Sequence, residues 1–173
     1  EGVLARCLQS ASGIFDHIAV AVTGSKVGTK EIASKYADVV ADFLWQDDFA
    51  AARNFSFSLS KADYIMWLDA DDVLLPGDRA ALLSLKEKLD GTVDAYMLPY
   101  RMGEERDALL YYRERIVRRA CGFLWTGAVH EVLPVSGKIE YADAVVTHKK
   151  PQGRRATCRN LCIYAKQFSR GKT

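Results

Sequence analysis

The sequence predicts an α/β fold with a mixed sheet flanked by helices. Up to Leu89, short apolar runs of strand length alternate with longer segments whose apolar residues recur at helical spacing. One run, Tyr64 to Leu68, has five apolar or aromatic residues and is followed by carboxylates at three of the next four positions. Such a run is typical of a strand buried on both faces in the middle of a parallel sheet. A loop is expected where it ends.

The first half of the chain predicts repeated strand and helix units. The helix before the run at Tyr64 begins with Asp47 or Asp48 as its N-cap, and the helix after it has Pro76 near its first turn. This βαβαβα order predicts parallel strands joined by right-handed crossovers. In chain order, the predicted elements are a helix in EGVLARCLQSA, a strand in HIAVAV, a helix in TKEIASKYA, a strand in DVVADFLW, a helix in QDDFAAARNFSFSLS, a strand in YIMWL and a helix from about Pro76 to Leu89.

After Gly91 the pattern changes to longer strands, which predict an antiparallel or mixed extension of the sheet. The segment FLWTGAVHEVL has no clear secondary-structure type. The remaining predicted elements are strands in VDAYMLPYR, ALLYYRERIVRR and KIEYADAVVTH, with MGEERD connecting the first two, and a closing helix in RRATCRNLCIYAKQF.

Length and composition favour one ordinary domain, since 173 residues at 49% hydrophobic content supply one core. No run approaches the roughly 20 apolar residues that span a bilayer, and no signal-peptide pattern opens the chain, so we expect a cytoplasmic protein. The four cysteines are scattered, which predicts neither a disulfide framework nor a zinc ribbon.

Charge is distributed unevenly along the chain. The segment from His148 to Thr173 has eight Lys or Arg residues and no acid, which leaves 16 basic against 22 acidic residues before it. This basic segment either contacts phosphates or an anionic membrane surface peripherally, or forms a solvated helical face. We predict no nucleic-acid partner.

The carboxylates after the apolar run predict a metal site. Asp69, Asp71 and Asp72 follow a strand end, where open α/β sheets bind ligands. Asp69 and Asp71 would point the same way if strand geometry persisted. Two hard oxygen ligands suit Mg²⁺ or Mn²⁺, which keeps its other positions for water and substrate phosphates.

Three other roles are open to these carboxylates. They could instead cap the helix near Pro76. An EF-hand is disfavoured because Leu74 and Ala80 occupy positions where that loop needs Gly and Glu. A haloacid-dehalogenase-like phosphatase also uses a strand followed by DxD, but in its first strand and followed by a small hydroxyl residue, where this chain has Val73.

Four segments together resemble the family 2 glycosyltransferases of the GT-A fold, closest to a bacterial subgroup in which a tetratricopeptide-like helical region often follows the catalytic domain. The resemblance implies an inverting transfer of a sugar from a nucleotide diphosphate sugar, with Mn²⁺ or Mg²⁺ held by the DxD motif. The segments are TGS at 23 to 25, W-x-D-D-F-A-A-A-R-N at 45 to 54, WLDADD at 67 to 72 and W-T-G-A-V-H-E at 125 to 131.

The resemblance implies roles around the donor. Asp69 would lie nearer the ribose, and Asp71 would bind the metal most directly, with Asp72 a further carboxylate. Arg53 and Asn54 match the family's Arg-Asn pair, which shapes the donor site. For these two, a surface Arg and a solvated Asn are the alternative.

The nucleotide loop and the late histidine complete the implied donor site. Thr23 and Ser25 belong to the TGS segment, which lines the nucleotide pocket in the family. His148 ends a predicted strand, as the late metal-binding His does in related enzymes. The basic residues just beyond it, Lys149, Lys150, Arg154 and Arg155, would meet the diphosphate.

The acceptor side is implied by the segment at 125 to 131. Trp125 and Gly127 match a loop where an indole stacks on a sugar, although a Trp is as often simply core. Inversion needs a base that takes the proton of the acceptor hydroxyl, and Glu131 is our candidate. His130 lies beside it, and we place it on the acceptor side.

The sequence departs from the family pattern at two acidic positions. Where the family has Asp directly before TGS and again two residues after it, this chain has Val22 and Val27. A strand expected before Glu1 is also missing, so we expect one catalytic domain over residues 1–173 that lacks its first strand and a C-terminal extension. A degenerate GT-A domain that binds a partner without transferring sugar is the alternative.

Overall fold

The computed structural model describes residues 2–24, 27–103, 108–150 and 158–169, leaving aside the side chain of Val27. The predicted helices and strands occur in the predicted order, and Asp72–Leu74, which was expected to be part of a loop, forms an additional strand. The helices of these residues are α1 (Gly2–Ala11), α2 (Val27–Ala33), α3 (Phe49–Ser58), α4 (Pro76–Lys86) and α5 (Arg159–Ser169). The strands are β1 (Ala19–Val22), β2 (Val39–Asp42), β3 (Tyr64–Met66), β4 (Asp72–Leu74), β5 (Ala95–Met102), β6 (Leu109–Arg118), β7 (Ile139–Tyr141) and β8 (Val146–His148).

The strands form two sheets. β1 and β2 pair in parallel, and the larger sheet has the order β3-β6-β5-β8-β4, with β7 also paired to β5. β6 is antiparallel to both β3 and β5, whereas β7 and β8 are parallel to β5. The predicted α/β fold with a mixed sheet and flanking helices is confirmed.

Local sequence explains where the helices begin. The Asp48 carboxylate accepts a hydrogen bond of 2.9 Å from the Ala51 amide, so Asp48 is the N-cap of α3. α4 begins at Pro76, whose missing N–H loses no helical bond there, and Asp78 in its first turn complements the helix dipole. The N-cap of α4 is Leu75, so the alternative in which the acidic run caps this helix is wrong.

Two strand predictions are wrong. Tyr64–Met66 ends the larger sheet and pairs antiparallel with β6, because the β5–β6 hairpin, distant in sequence, lies beside it. The segment KIEYADAVVTH forms β7 and β8 rather than one strand. Its ladder breaks where the Val145 amide donates to the Asp78 carboxylate of α4, at 2.9 Å.

The larger sheet is covered on both faces. On one face Leu82 of α4 packs with Leu98, Ile116 and Val146. On the other face Ala50 of α3 packs with a cluster that includes Trp67, Val117 and Trp125. Neighbouring residues Ile116 and Val117 thus face opposite layers, as strand alternation requires.

A cavity of about 1690 Å³ runs along α1, β1 and β3 and extends to Asp71 and Glu131. Among the described residues, β1 pairs with β2 alone and β3 with β6 alone, so each strand has an unpaired edge. Both strands line the cavity. The acidic turn after β3 therefore lies at the wall of an open cleft.

The longest of the described α-helices have 11 residues. None of them combines the length and the apolar character that crossing a membrane requires.

Gly137 offers a test of the packing around β7. Its φ is +88°, and a Cβ placed there would collide with the Asp94 carboxylate, which accepts from the Lys138 amide at 2.8 Å. We expect Gly137→Ala to destabilise the protein by about 1–3 kcal/mol more than Gly122→Ala, because overpacking adds to the backbone cost. Gly122 has φ +64° and open space around the added methyl, so it isolates the backbone cost. Urea unfolding measures both variants, and equal losses would contradict the collision.

Candidate functional site

The acidic run forms a turn rather than the end of a strand. β3 ends at Met66, and the Asp72 amide donates to the Asp69 carbonyl at 2.9 Å. The prediction that Asp69 and Asp71 converge by strand alternation is therefore wrong in its premise, because alternation requires extended backbone. The three carboxylates instead point to three different sets of partners.

Asp72 is the buried anchor of this turn. Its side chain has no exposed surface and accepts hydrogen bonds from Arg115 at 2.9 Å, from the Tyr100 hydroxyl at 3.0 Å and from the Asp69 amide at 2.9 Å. Arg115 is equally buried and lies between the rings of Trp67 and Tyr100, at 3.8 and 4.3 Å. Burial raises the pKa of Asp72, and the Arg115 guanidinium opposes that rise.

Cys7 of α1 contacts the turn through its side chain. Its thiol donates a 3.4 Å hydrogen bond to the Asp69 carbonyl and is buried. Burial, with the neighbouring Asp72, Asp69 and Asp71, raises the pKa of Cys7 from 9.0 to about 12. The sulfur therefore stays protonated at neutral pH.

Asp71 and His148 lie together next to Asp72. The Nδ1 atom of His148 is 3.6 Å from Asp71 and 3.7 Å from Asp72, and one ligand atom from each of the three residues lies within 4.8 Å of the others. This Nδ1 is buried and has no hydrogen-bond partner among the described residues. An oxygen, oxygen and nitrogen set with an unused nitrogen fits a divalent cation. The sequence prediction named Asp69 in place of Asp72.

Asp69 contacts Arg53 instead. Arg53 of α3 donates from Nη2 to Asp69 at 2.8 Å and from Nε to Glu131 at 2.7 Å. Its guanidinium lies 4.7 Å from the Trp67 ring and 4.6 Å from the Trp125 ring. Burial lowers the pKa of Arg53, but the two carboxylates outweigh it and the net pKa is raised. The structure thus joins the DxD turn to the predicted base through one arginine.

Asn54 and Trp125 form a structural clamp. The Asn54 amide donates to the Trp125 carbonyl at 3.0 Å, and its oxygen accepts from the Trp125 amide at 2.8 Å. Trp125 is only 2% exposed and contacts the Trp67 ring edge-on at 4.9 Å. The predicted stacking of Trp125 on an acceptor sugar is inconsistent with this burial, and both hydrogen bonds of the Asn54 side chain are directed to protein backbone.

The loop that carries Glu131 is held at its base and strained at its tip. Backbone hydrogen bonds of 2.9 and 3.0 Å join Thr126 and Val132. His130 has φ +52°, which is uncommon for a residue with a side chain, and its exposed ring stacks on Tyr164 of α5 at 6.0 Å. His130 and Glu131 both line the cavity.

The nucleotide end is described only in part. Thr23 follows β1, is exposed and lines the cavity. Val22 is buried at the end of β1. Ser25 and the predicted diphosphate contacts Arg154 and Arg155 lie outside the described residues. Lys149 and Lys150 are exposed beyond β8.

The side chains that support the turn were not predicted from the sequence. Tyr100 and Arg115 come from the β5–β6 hairpin, and Cys7 comes from α1. Arg115 had a visible signal, because it is a charged residue among the strand positions that are buried in β6. Such a residue needs a buried partner of opposite charge. The identity of that acidic partner could not be predicted from the sequence.

The different surroundings of Asp72 and Asp71 predict different mutational effects. We expect Asp72→Ala to reduce the free energy of unfolding by about 3–5 kcal/mol, because it leaves the Arg115 charge buried without its carboxylate. Asp71→Ala, whose side chain is 21% exposed, should change stability far less. Urea denaturation compares the two, and an equal loss in both would contradict the structural assignment.

Cysteine labelling tests the burial of Cys7. At pH 8 in the native protein, we expect a thiol reagent to modify the exposed Cys158 and Cys162 rapidly and Cys7 only on unfolding, because the thiolate is the reactive form. Raising the pH to 9 should not release Cys7, since its pKa is about 12. Cys7→Ala serves as the control and should label like the parent when native. Rapid native labelling of Cys7 would contradict the described packing.

Comparison with known proteins identifies the family of the chain. The sequence pattern of glycosyl transferase family 2 matches residues 1–133. A TPR repeat-containing protein of Synechococcus elongatus is 36% identical over 88 residues, which are 51% of this chain. Those residues are 21% of that protein, so this chain spans about a fifth of it. With more than half of its length matched to the family, the chain belongs to glycosyl transferase family 2.

Proposed function

We propose that the protein transfers a sugar from a nucleotide diphosphate sugar to an acceptor hydroxyl, with inversion at the anomeric carbon and with a divalent metal. The observation that carries the proposal is that Asp71 and Glu131 line the same cavity. The Asp71 carboxylate is suited to binding a metal, and the Glu131 carboxylate is suited to accepting a proton. Membership of the family supports glycosyl transfer in general.

Asp71 and His148 are the residues we assign to the metal, with Asp72 adjacent. The unpartnered Nδ1 of His148 supports this assignment, because a buried polar atom without a hydrogen bond is unusual unless something else binds it. Mn²⁺ or Mg²⁺ bound there would offset the charge that develops on the departing diphosphate. Asp69, named for the metal by sequence, has its carboxylate on Arg53 and is assigned to the donor side.

Glu131 is proposed as the base. As the acceptor oxygen bonds to the anomeric carbon and the bond from that carbon to the diphosphate oxygen breaks, the hydroxyl proton passes to the Glu131 carboxylate. The Glu131 side chain is 14% exposed, so it reaches the cavity while remaining largely shielded from water. Its position on a loop closed by the Thr126–Val132 bridge favours a fixed orientation.

The nucleotide and the acceptor are defined only by class. Thr23 is proposed to contact the nucleotide beside β1, where Val22 replaces the usual acid, so the base and ribose contacts differ from the family pattern. The acceptor side is assigned to His130, which is exposed at the cavity. A glycan, a lipid-linked sugar and a peptide each supply the required hydroxyl.

A non-catalytic binding module is the second candidate. Val22 favours it, because a buried valine cannot hold a ribose hydroxyl. Metal-dependent binding of a nucleotide distinguishes the two, since only the transferase requires it.

Contact with an anionic membrane surface is proposed only for the exposed Lys149 and Lys150. The two described cations of α5 face the body instead. Lys166 pairs with Asp47 at 2.6 Å, and Arg159 lies 4.7 Å from the Phe49 ring. Binding to vesicles that contain phosphatidylserine tests this contact.

Replacement of Asp71 tests the metal role. With Mn²⁺ and a panel of nucleotide diphosphates, we expect the parent to be stabilised by about 2.7 kcal/mol when the ligand is at 100 times its Kd. Asp71→Ala should lose this stabilisation and hydrolyse a nucleotide diphosphate sugar at least about 10²-fold more slowly, because the leaving group keeps its full charge.

The matched control is Asp143→Ala, an exposed acid between β7 and β8, which should behave like the parent. Thermal shift and donor hydrolysis are the measurements. If Asp71→Ala hydrolyses a donor as fast as the parent, the metal role of Asp71 is wrong.

A further inference from the structure

Arg53 binds two carboxylates with one edge of its guanidinium. Nε donates to Glu131 and Nη2 to Asp69, at 2.7 and 2.8 Å. These two nitrogens lie on the same edge of the planar group, so the two carboxylates must lie side by side. One acid belongs to the turn after β3 and the other to the loop after Gly127. Arg53 therefore directly links the turn after β3 to the loop that carries Glu131.

Two indole rings fix the plane of the guanidinium. Trp67 and Trp125 are 4.7 and 4.6 Å from its central carbon. Trp67 is itself held by a 2.5 Å hydrogen bond from its indole nitrogen to the Glu114 carbonyl, and Trp125 is held by the Asn54 clamp. With both rings anchored, the guanidinium cannot turn toward another ligand without losing its contacts with them.

The charges of Glu131 and Asp69 explain why Arg53 is needed between them. Arg53 is 20% exposed, Glu131 14% and Asp69 37%, so solvent screens the two acids only in part. Two carboxylates this close repel each other unless a cation lies between them. Arg53 supplies that cation, and burial does not neutralise it, because its pKa is raised.

We propose that Arg53 is a positioning residue for Glu131. It holds the Glu131 carboxylate beside Asp69 at the cavity wall, where the acceptor hydroxyl meets a base already in place. A diphosphate that drew Nε away from Glu131 would release the base, so a donor contact compatible with this role would use the remaining N–H groups of Arg53. This inference rests on the proposed function, in which Glu131 takes the hydroxyl proton.

The test compares Arg53→Gln, Arg53→Lys, Glu131→Gln and the double variant Arg53→Gln/Glu131→Gln. The probes are UDP-glucose, UDP-N-acetylglucosamine and GDP-mannose with Mn²⁺, and the readout is kcat and KM for donor hydrolysis. The matched control is Arg113→Gln. Arg113 also lies on Trp67, at 5.2 Å, and pairs with a glutamate, Glu114.

We expect Arg53→Gln to lower kcat by about 10²-fold with an unchanged donor KM, because a displaced base costs rate rather than binding. Arg53→Lys should recover part of kcat, since it restores the charge but not the two-point contact. The double variant should have a kcat no lower than that of Glu131→Gln, because the proposed effect of Arg53 on the rate passes through that residue. Arg113→Gln should match the parent.

Other outcomes separate the two levels of the proposal. A raised KM with unchanged kcat in Arg53→Gln, or losses that multiply in the double variant, would overturn the positioning role alone. Full activity in Glu131→Gln would overturn the proposed base, and with it the reason for holding it.

A crystal structure of Arg53→Gln decides the matter even if none of the probes is hydrolysed. We expect the Glu131 carboxylate to leave Asp69 while the Thr126–Val132 bridge persists. A Glu131 carboxylate that stays in place without Arg53 would overturn the inference.

Discussion

The buried ion pair between Asp72 and Arg115 is the constraint on which the site depends. Neither side chain has exposed surface, so each charge is stable only while the other is present. Asp72 also accepts from the Asp69 amide, and this bond fixes the turn that places the other two acids. The geometry of the cleft therefore depends on this buried contact between β4 and β6.

Two arginines divide the three carboxylates of the turn. Arg115 takes Asp72 in the core, and Arg53 takes Asp69 at the cavity wall. Among the described residues no Lys or Arg pairs with Asp71, and the Nδ1 atom of His148 lies 3.6 Å from its carboxylate. Three adjacent acids would otherwise repel one another. This division leaves one carboxylate available to an incoming cation without destabilising the turn.

The sequence predicted much of the fold for physical reasons that are local. Apolar periodicity located the helices, and the N-cap at Asp48 followed from side-chain chemistry. The neighbours of β3 were not predictable in this way, because pairing with β6 depends on a hairpin far along the chain. The same limit applies to KIEYADAVVTH, in which the Val145 amide between β7 and β8 donates to the Asp78 side chain of a distant helix.

The candidate site was likewise predictable only in part. The acidic residues, Glu131 and His148 were recognisable as residue types that carry chemistry, and Asp71 does lie with His148. The contact between Arg53 and Glu131 was not predicted. What was not predictable was the pairing, because it depends on side-chain directions. Asp72 rather than Asp69 lies with Asp71 and His148, and Trp125 is part of the core, because a turn and a buried clamp replace the assumed strand geometry.

The arrangement of tryptophans has an optical consequence. The chain has three, and two of them, Trp67 and Trp125, enclose Arg53. The third, Trp45, donates from its ring nitrogen to Asp47 and packs on Phe49 at the start of the same helix, α3. All of the indole emission of the protein therefore originates around one helix, and a bound molecule that alters the surroundings of Arg53 is reported by intrinsic fluorescence without any added label.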